Sequence, residues 1–109
     1  MNFNEYQLES RGFAVYPNRN RNLIYPSLGL AGETGGFVEN VKKAIRDQGY
    51  REGLDFPSDR RKKAIEELGD ALWYISNCAT ELNISLEDVA LQNINKLIER
   101  KMKGKIHGR

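Results

Sequence analysis

The chain has 109 residues, 39% of them hydrophobic and 29% charged. That is enough for one compact domain, of roughly 13 Å radius, and too few for two. Lys plus Arg total 17 against 15 Asp plus Glu, a net charge of +2 that is too balanced for a protein built mainly to bind nucleic acid. The single Cys78 excludes an intrachain disulfide framework and a Cys-rich zinc site, and the single His107 leaves little room for a His-paired catalytic dyad. No run approaches the roughly 18 apolar residues of a membrane span. The opening residues, MNFNEYQLES, are acidic and lack an apolar stretch, so no signal peptide is expected and a cytoplasmic location is.

Sparse prolines and long amphipathic stretches predict an all-α fold. A short first helix is expected over about Asn4 to Gly12, followed by the irregular polar passage AVYPNRNRNLIY. The second helix is expected from Pro26 or Ser27 to about Arg46. Within it, Gly29, Gly32, Gly35 and Gly36 each cost about 1 kcal/mol relative to Ala, so close approach by another helix or a ligand is needed to compensate. No Lys-Ser or Lys-Thr follows, which excludes a Walker-type phosphate loop. Glu33 stands inside this small-residue surface, either with a chemical task or as a solvated acid of the first turns.

After the loop DQGYREGLDFPSD, a third helix is expected from Ser58 or Asp59 to Leu82, with Asn83 as its stop. At about 100° per residue, Ala64, Leu68, Ala71, Leu72, Ile75, Cys78, Ala79 and Leu82 form one arc, read as the core face with Cys78 a buried thiol. Glu67 and Asp70 lie just off the arc at i, i+3, where their Cβ atoms stand about 5–6 Å apart and both can reach one ion. Oxygen ligands favour Mg²⁺, or Mn²⁺, over zinc. The same spacing also occurs on ordinary solvated faces. Trp73 falls roughly 140° round from Leu68, away from the arc, and reads as a subunit interface or a stacking surface for a ligand.

Ser85 is the expected N-cap of a fourth helix, with Asp88 three residues on resembling a capping box, and Gly104 ends it after about Lys103. Leu86, Ala90, Ile94, Leu97 and Ile98 supply its apolar side. Asn93, Lys96 and Arg100 line one stripe, able to hold a polyphosphate or simply to complement the helix dipole. The tail, with His107, is expected to be exposed.

The segments EYQ, YPSLGLAGETG, VKKAIRD, EELGDALWYI, NINKLIERK and GKIHG together resemble the MazG-like all-alpha nucleoside triphosphate pyrophosphohydrolases over nearly the whole chain. The resemblance implies a single all-α domain of the four-helix-bundle type, assembled as a homodimer or homotetramer. It also implies Mg²⁺-dependent cleavage between the α- and β-phosphates of nucleoside triphosphates, giving a monophosphate and pyrophosphate. By position, Glu33, Glu67 and Asp70 match the family's metal-binding acids, and Asn93, Lys96 and Arg100 match its substrate-binding helix. Trp73 and Tyr74 fall in its aromatic segment, and Glu66 is a candidate to take the proton of the attacking water. One departure stands out: Gly36 occupies the place of the second acid of the family's Glu-x-x-Glu, with Glu39 and Asn40 as nearby substitutes. This opens an alternative, a catalytically impaired nucleotide-binding or structural dimer. A small helical interaction module is a third reading. No nucleic-acid or membrane partner is expected.

Overall fold

The computed structural model describes residues 1–104; His107 lies outside them. Four helices follow in order, α1 (Phe3–Arg11), α2 (Ile24–Gln48), α3 (Ser58–Glu81) and α4 (Leu86–Met102), with no strand among the described residues. The expected helices are all present, with boundaries that local chemistry sets. At the start of α1, the Asn2 side chain accepts from the Glu5 backbone N–H at 2.8 Å and Glu5 answers on the Asn2 N–H, closing a capping box. α2 begins before Pro26, because a proline in the first turn forfeits a hydrogen bond that the helix could not have made there. It ends at Gly49, which takes the left-handed conformation at φ 68°. Asn83, also left-handed, stops α3 as expected. Ser85 caps α4 by accepting from the Asp88 N–H at 3.0 Å, one half of the expected box.

α3 is the hub. It packs against each of the other helices, whereas α2 meets no helix but α3, and α2 and α4 do not touch. The radius of gyration is 16.7 Å, well above the roughly 13 Å expected of a compact globule, so the isolated chain is an open arrangement of rods.

That openness corrects the expected core. Leu68, Ile75 and Leu82 are 54%, 37% and 61% exposed, and Cys78 is only half-buried. Ala64 and Ala79 of the expected arc are buried, and Glu67, Ser76 and Asn77 from outside it join them on the buried side of α3. α1 selects this side because its polar groups find partners there. The Ser10 and Ser76 hydroxyls pair at 2.9 Å, the Trp73 indole donates to the Ser10 carbonyl at 3.1 Å, and Gln7 ties Thr80 to the α3–α4 turn through Ile84 and Leu86. Leu91, Ile94 and Ile98 on α4 are about as exposed as Leu68.

α2 and α3 run antiparallel along a seam in which Gly29 faces Tyr74, Gly36 faces Glu67, and Asn40 donates to the Arg60 carbonyl at 3.2 Å. A Cβ at Gly29 would come within 2.1 Å of the Tyr74 ring, so the ring sits where any other residue would put its side chain. Gly29→Ala is accordingly expected to lower stability by about 1–3 kcal/mol through overpacking. Urea denaturation checks this; an unchanged midpoint would mean that the ring simply swings aside. Gly32 and Gly35 face open space, and nothing in the structure explains them.

Candidate active site

The seam orders its side chains by chemistry along its length. Tyr74 lies at one end, T-shaped against Trp73 with ring centroids 5.1 Å apart. Burial raises the Tyr74 phenol above its ordinary value, and Tyr25, Glu33 and Asp70 raise it further, so both carboxylates are felt at this hydroxyl. Asp70 acts likewise on Tyr6 of α1, after burial. Glu33 of α2 is half-buried and Asp70 exposed.

Glu67 comes next, and it is the unusual group. Only 7% of it is exposed, and its Oε1 is buried with no hydrogen-bond partner. A buried carboxylate oxygen without a donor is costly, and such an atom marks a place where a cation or a donor belongs. The other oxygen, Oε2, lies 2.9 Å from where a Cβ on residue 36 would stand. Gly36 therefore does more than omit an acid: it leaves the space into which the Glu67 carboxylate folds.

Beyond Glu67 the seam opens into a cavity of about 320 Å³ lined by Gly36, Glu39, Asn40, Lys43, Arg60, Lys63 and Glu67. Glu39 and Asn40, the expected substitutes for an acid at position 36, both have partners within the chain. Glu39 pairs with Lys42 at 3.0 Å, and the buried Asn40 accepts from the Arg60 guanidinium at 3.3 Å while donating to the Arg60 carbonyl. Arg60 is held further by Asp47 at 3.6 Å and by Gln48.

The expected convergence of three acids is not met. No group of three or more His, Cys, Asp or Glu is gathered closely enough to hold a metal ion among the described residues. Glu67 faces Gly36, while Glu33 and Asp70 exert their charge on Tyr74. Glu66 is exposed beside Glu67 and does not line the cavity. Asn93 and Lys96 are exposed and Arg100 half-exposed on α4, which does not touch α2, so the expected phosphate stripe lies off this cleft within one chain. Trp73 is half-buried and engaged with α1 rather than projecting away from the core.

Sequence reasoning missed Lys43, Arg60 and Lys63 as neighbours of Glu67. The signal was available in the spacing: Gly29, Gly36 and Lys43 repeat every seven residues on one helix, as Arg60, Glu67 and Tyr74 do on the other. Seven-residue intervals place each set on one helix face; that the two faces meet is decided by the fold.

The sequence matches the family model described as the MazG nucleotide pyrophosphohydrolase domain over residues 26–104, which takes in the whole seam and α4. It is also similar to the Gene 37 protein of Mycobacterium phage L5, at 34% identity over 113 residues covering 99% of this chain and 96% of that protein. No solved structure matches it.

Proposed function

The chain belongs to the MazG nucleotide pyrophosphohydrolase family, and from that premise we propose that it hydrolyses nucleoside triphosphates between the α- and β-phosphates. The products are a nucleoside monophosphate and pyrophosphate, and the reaction depends on Mg²⁺, with Mn²⁺ as a substitute. The observation that carries this reading is the buried Glu67 carboxylate with an unpartnered oxygen, on the seam that also carries Glu33 and Asp70 near Tyr74. The donor set suits a hard divalent ion, since it offers carboxylate oxygens and neither thiolate nor imidazole.

Glu67 would hold the ion, with Glu33 and Asp70 as the further acids that it would have to draw in, since the three form no close cluster among the described residues of one chain. When bound, the ion neutralises phosphate charge and lowers the pKa of an attacking water. Tyr74 and Trp73 close the far end of the cleft, where a nucleoside would lie. The proton of the water passes to a carboxylate of this group, with Glu66 adjoining at the exposed edge. Asn93, Lys96 and Arg100 reach the triphosphate from a second copy, because α4 and α2 of one chain do not meet. The exposed Leu68, Ile75 and Leu82 of α3 and Leu91, Ile94 and Ile98 of α4 support such a homodimer or homotetramer.

A panel of nucleoside triphosphates incubated with Mg²⁺ and scored for monophosphate and pyrophosphate tests the reading. Release of orthophosphate instead, or no product from any nucleotide, would refute it. One specific observation favours a second reading, a nucleotide-binding or structural dimer without turnover: no three-carboxylate cluster forms among the described residues of the single chain. Tight binding without products in the same panel selects that version.

No helix among the described residues is long and apolar enough to cross a membrane.

A further inference from the structure

At the aromatic end of the α2–α3 seam one ring is half outside the fold. Tyr25, in the first turn of α2, is 45% exposed. We propose that Tyr25 is a positioning residue for the nucleoside end of the substrate, a fixed platform on which the flat base stacks. The ligand's identity rests on the hydrolase reading, whereas the platform itself rests on the geometry of this one ring.

Three observations carry it. The first is that one face of the ring is closed and the other open. Tyr16 stacks on Tyr25 with ring centroids 4.8 Å apart and planes within 15° of parallel. Such a stack covers one face of each ring. Tyr16 is only 6% exposed, so the pair has an inner ring and an outer one. The outer ring turns its remaining face to solvent, in the orientation that a third flat ring would continue.

The second observation is that the ring is held from two sides. The Tyr16 hydroxyl behind it donates to the Glu81 carboxylate and accepts from the Arg11 guanidinium, both of them well buried. The Tyr25 backbone N–H donates to the Asn22 side chain at 3.1 Å, and the Asn22 N–H donates in turn to Glu81 at 2.9 Å. Glu81 thus fixes Tyr25 through the ring it leans on and through the backbone that carries it. A ring fixed before a ligand arrives loses little rotamer freedom on binding, which is what suits an aromatic side chain to a contact surface.

The third is place. Tyr25, Gly29 and Glu33 follow at i, i+4 and i+8 on one face of α2. The Tyr74 ring fills the space over Gly29, so it stands between Tyr25 and Glu33. Its phenol feels both of them, together with Asp70. Eight residues of helix rise about 12 Å, a gap that a ribose and its first phosphate bridge. A base on Tyr25 then sets its sugar against Tyr74 and directs its phosphates toward Glu33 and Asp70. The stripe runs ring, ring, acid, matching the base, sugar and metal-bound phosphate of one nucleotide.

Calorimetric titration of the full chain tests this, with the four common nucleoside triphosphates in turn and with inorganic tripolyphosphate, each with Mg²⁺. Nucleotide and tripolyphosphate share the phosphate chain and differ by the nucleoside. Tyr25→Ala is expected to weaken the nucleotide about 10–100-fold, the loss of one base–aromatic stack, and to leave tripolyphosphate as it was. Tyr25→Phe keeps the ring and should restore the nucleotide affinity. In steady-state assays the loss should fall on KM rather than kcat, because a stacked base is held equally in the ground and transition states. Circular dichroism confirms that both variants are folded. Equal losses for nucleotide and tripolyphosphate, no loss for either, or a Tyr25→Phe as weak as Tyr25→Ala overturns the platform. A nucleotide that binds through Tyr25 and is never hydrolysed leaves the platform standing and removes the hydrolase. Turnover with an unchanged KM in Tyr25→Ala does the reverse.

Discussion

In Glu67→Gln, Mg²⁺-dependent pyrophosphate release is expected to fall by about 10²–10³-fold, the scale on which a single preorganised electrostatic contact acts. Gln has nearly the same shape, so the fit against Gly36 is kept while the charge is lost. The fold is expected to survive unharmed and even to gain stability. A buried carboxylate with an unpartnered oxygen penalises the folded state, and a neutral amide of equal volume reduces that penalty. The two effects therefore move in opposite directions, which few structural residues show. A steady-state assay alongside thermal denaturation measures both. Full activity in the variant would end the assignment of Glu67 to the ion, whereas a large drop in melting temperature would assign it to the scaffold instead.

The opposite pattern is expected of Glu81, the acid that anchors the 12–23 segment. Its side chain is 1% exposed and accepts from Arg11 at 2.9 Å, from the Tyr16 hydroxyl, and from the backbone N–H groups of Asn20 at 3.1 Å and Asn22 at 2.9 Å. Burial by itself would raise its pKa. The bonds from Tyr16, Asn22, Arg11 and Asn20 outweigh burial and bring it down from 4.5 to about 2. Asn18 and Asn20 adopt left-handed backbone at φ 55° and 79°, which asparagine tolerates better than most residues, and this bends the segment back so that its N–H groups reach the carboxylate. Tyr16, so held, stacks on Tyr25 at 4.8 Å, next to the start of α2.

Glu81→Gln leaves donors aimed at a neutral oxygen and strands the Arg11 charge, a loss of about 3 kcal/mol. For a domain of this size that is a fall of at least about 12 °C in melting temperature. The pH dependence has a definite sign. The folded-state pKa lies below the unfolded one, so this stabilisation is complete above the unfolded value and is lost as pH falls from near 4.5 through about 2. Denaturation midpoints recorded across that interval should decline for the natural protein and stay nearly flat for Glu81→Gln. Parallel slopes in the two proteins would show that other acids govern the acid sensitivity.

Both residues stand on α3, fourteen positions apart, and both are buried carboxylates. What separates them is satisfaction. Glu81 meets donors from two segments, while one oxygen of Glu67 meets none. An acid that the fold has fully hydrogen-bonded is committed to the fold. One that it has buried and left open is kept for something the chain does not itself contain.

Much of the architecture was legible without coordinates. The four helices follow from apolar periodicity and from local signals: Asn83 as a stop and Ser85 as a cap on the Asp88 N–H were readable as such, while the Asn2–Glu5 box and the Gly49 cap, equally local, came with the structure. All of them act within a few residues, which is why the number and order of the helices could be read from sequence alone. The family, and with it the interest of Glu33, Glu67 and Asp70, also follows from short segments read in order. The direction in which each face of α3 points did not. Leu68, Ile75 and Leu82 look like a core stripe by period, yet α1 and α2 pack on the neighbouring side, where Ser76, Asn77 and Glu81 find partners. Periodicity marks an apolar face without saying whether the same chain or another covers it.

Only the tertiary structure decided what Gly36 means. In the sequence it is a missing acid; in the fold it is the space occupied by a carboxylate from a helix some thirty residues away. Local signals determined where the helices begin and end because hydrogen bonds and backbone torsions act over a few residues. The pairing of Gly36 with Glu67, and of Lys43 and Lys63 around one cavity, was decided by the antiparallel register of two helices, a long-range choice made by packing.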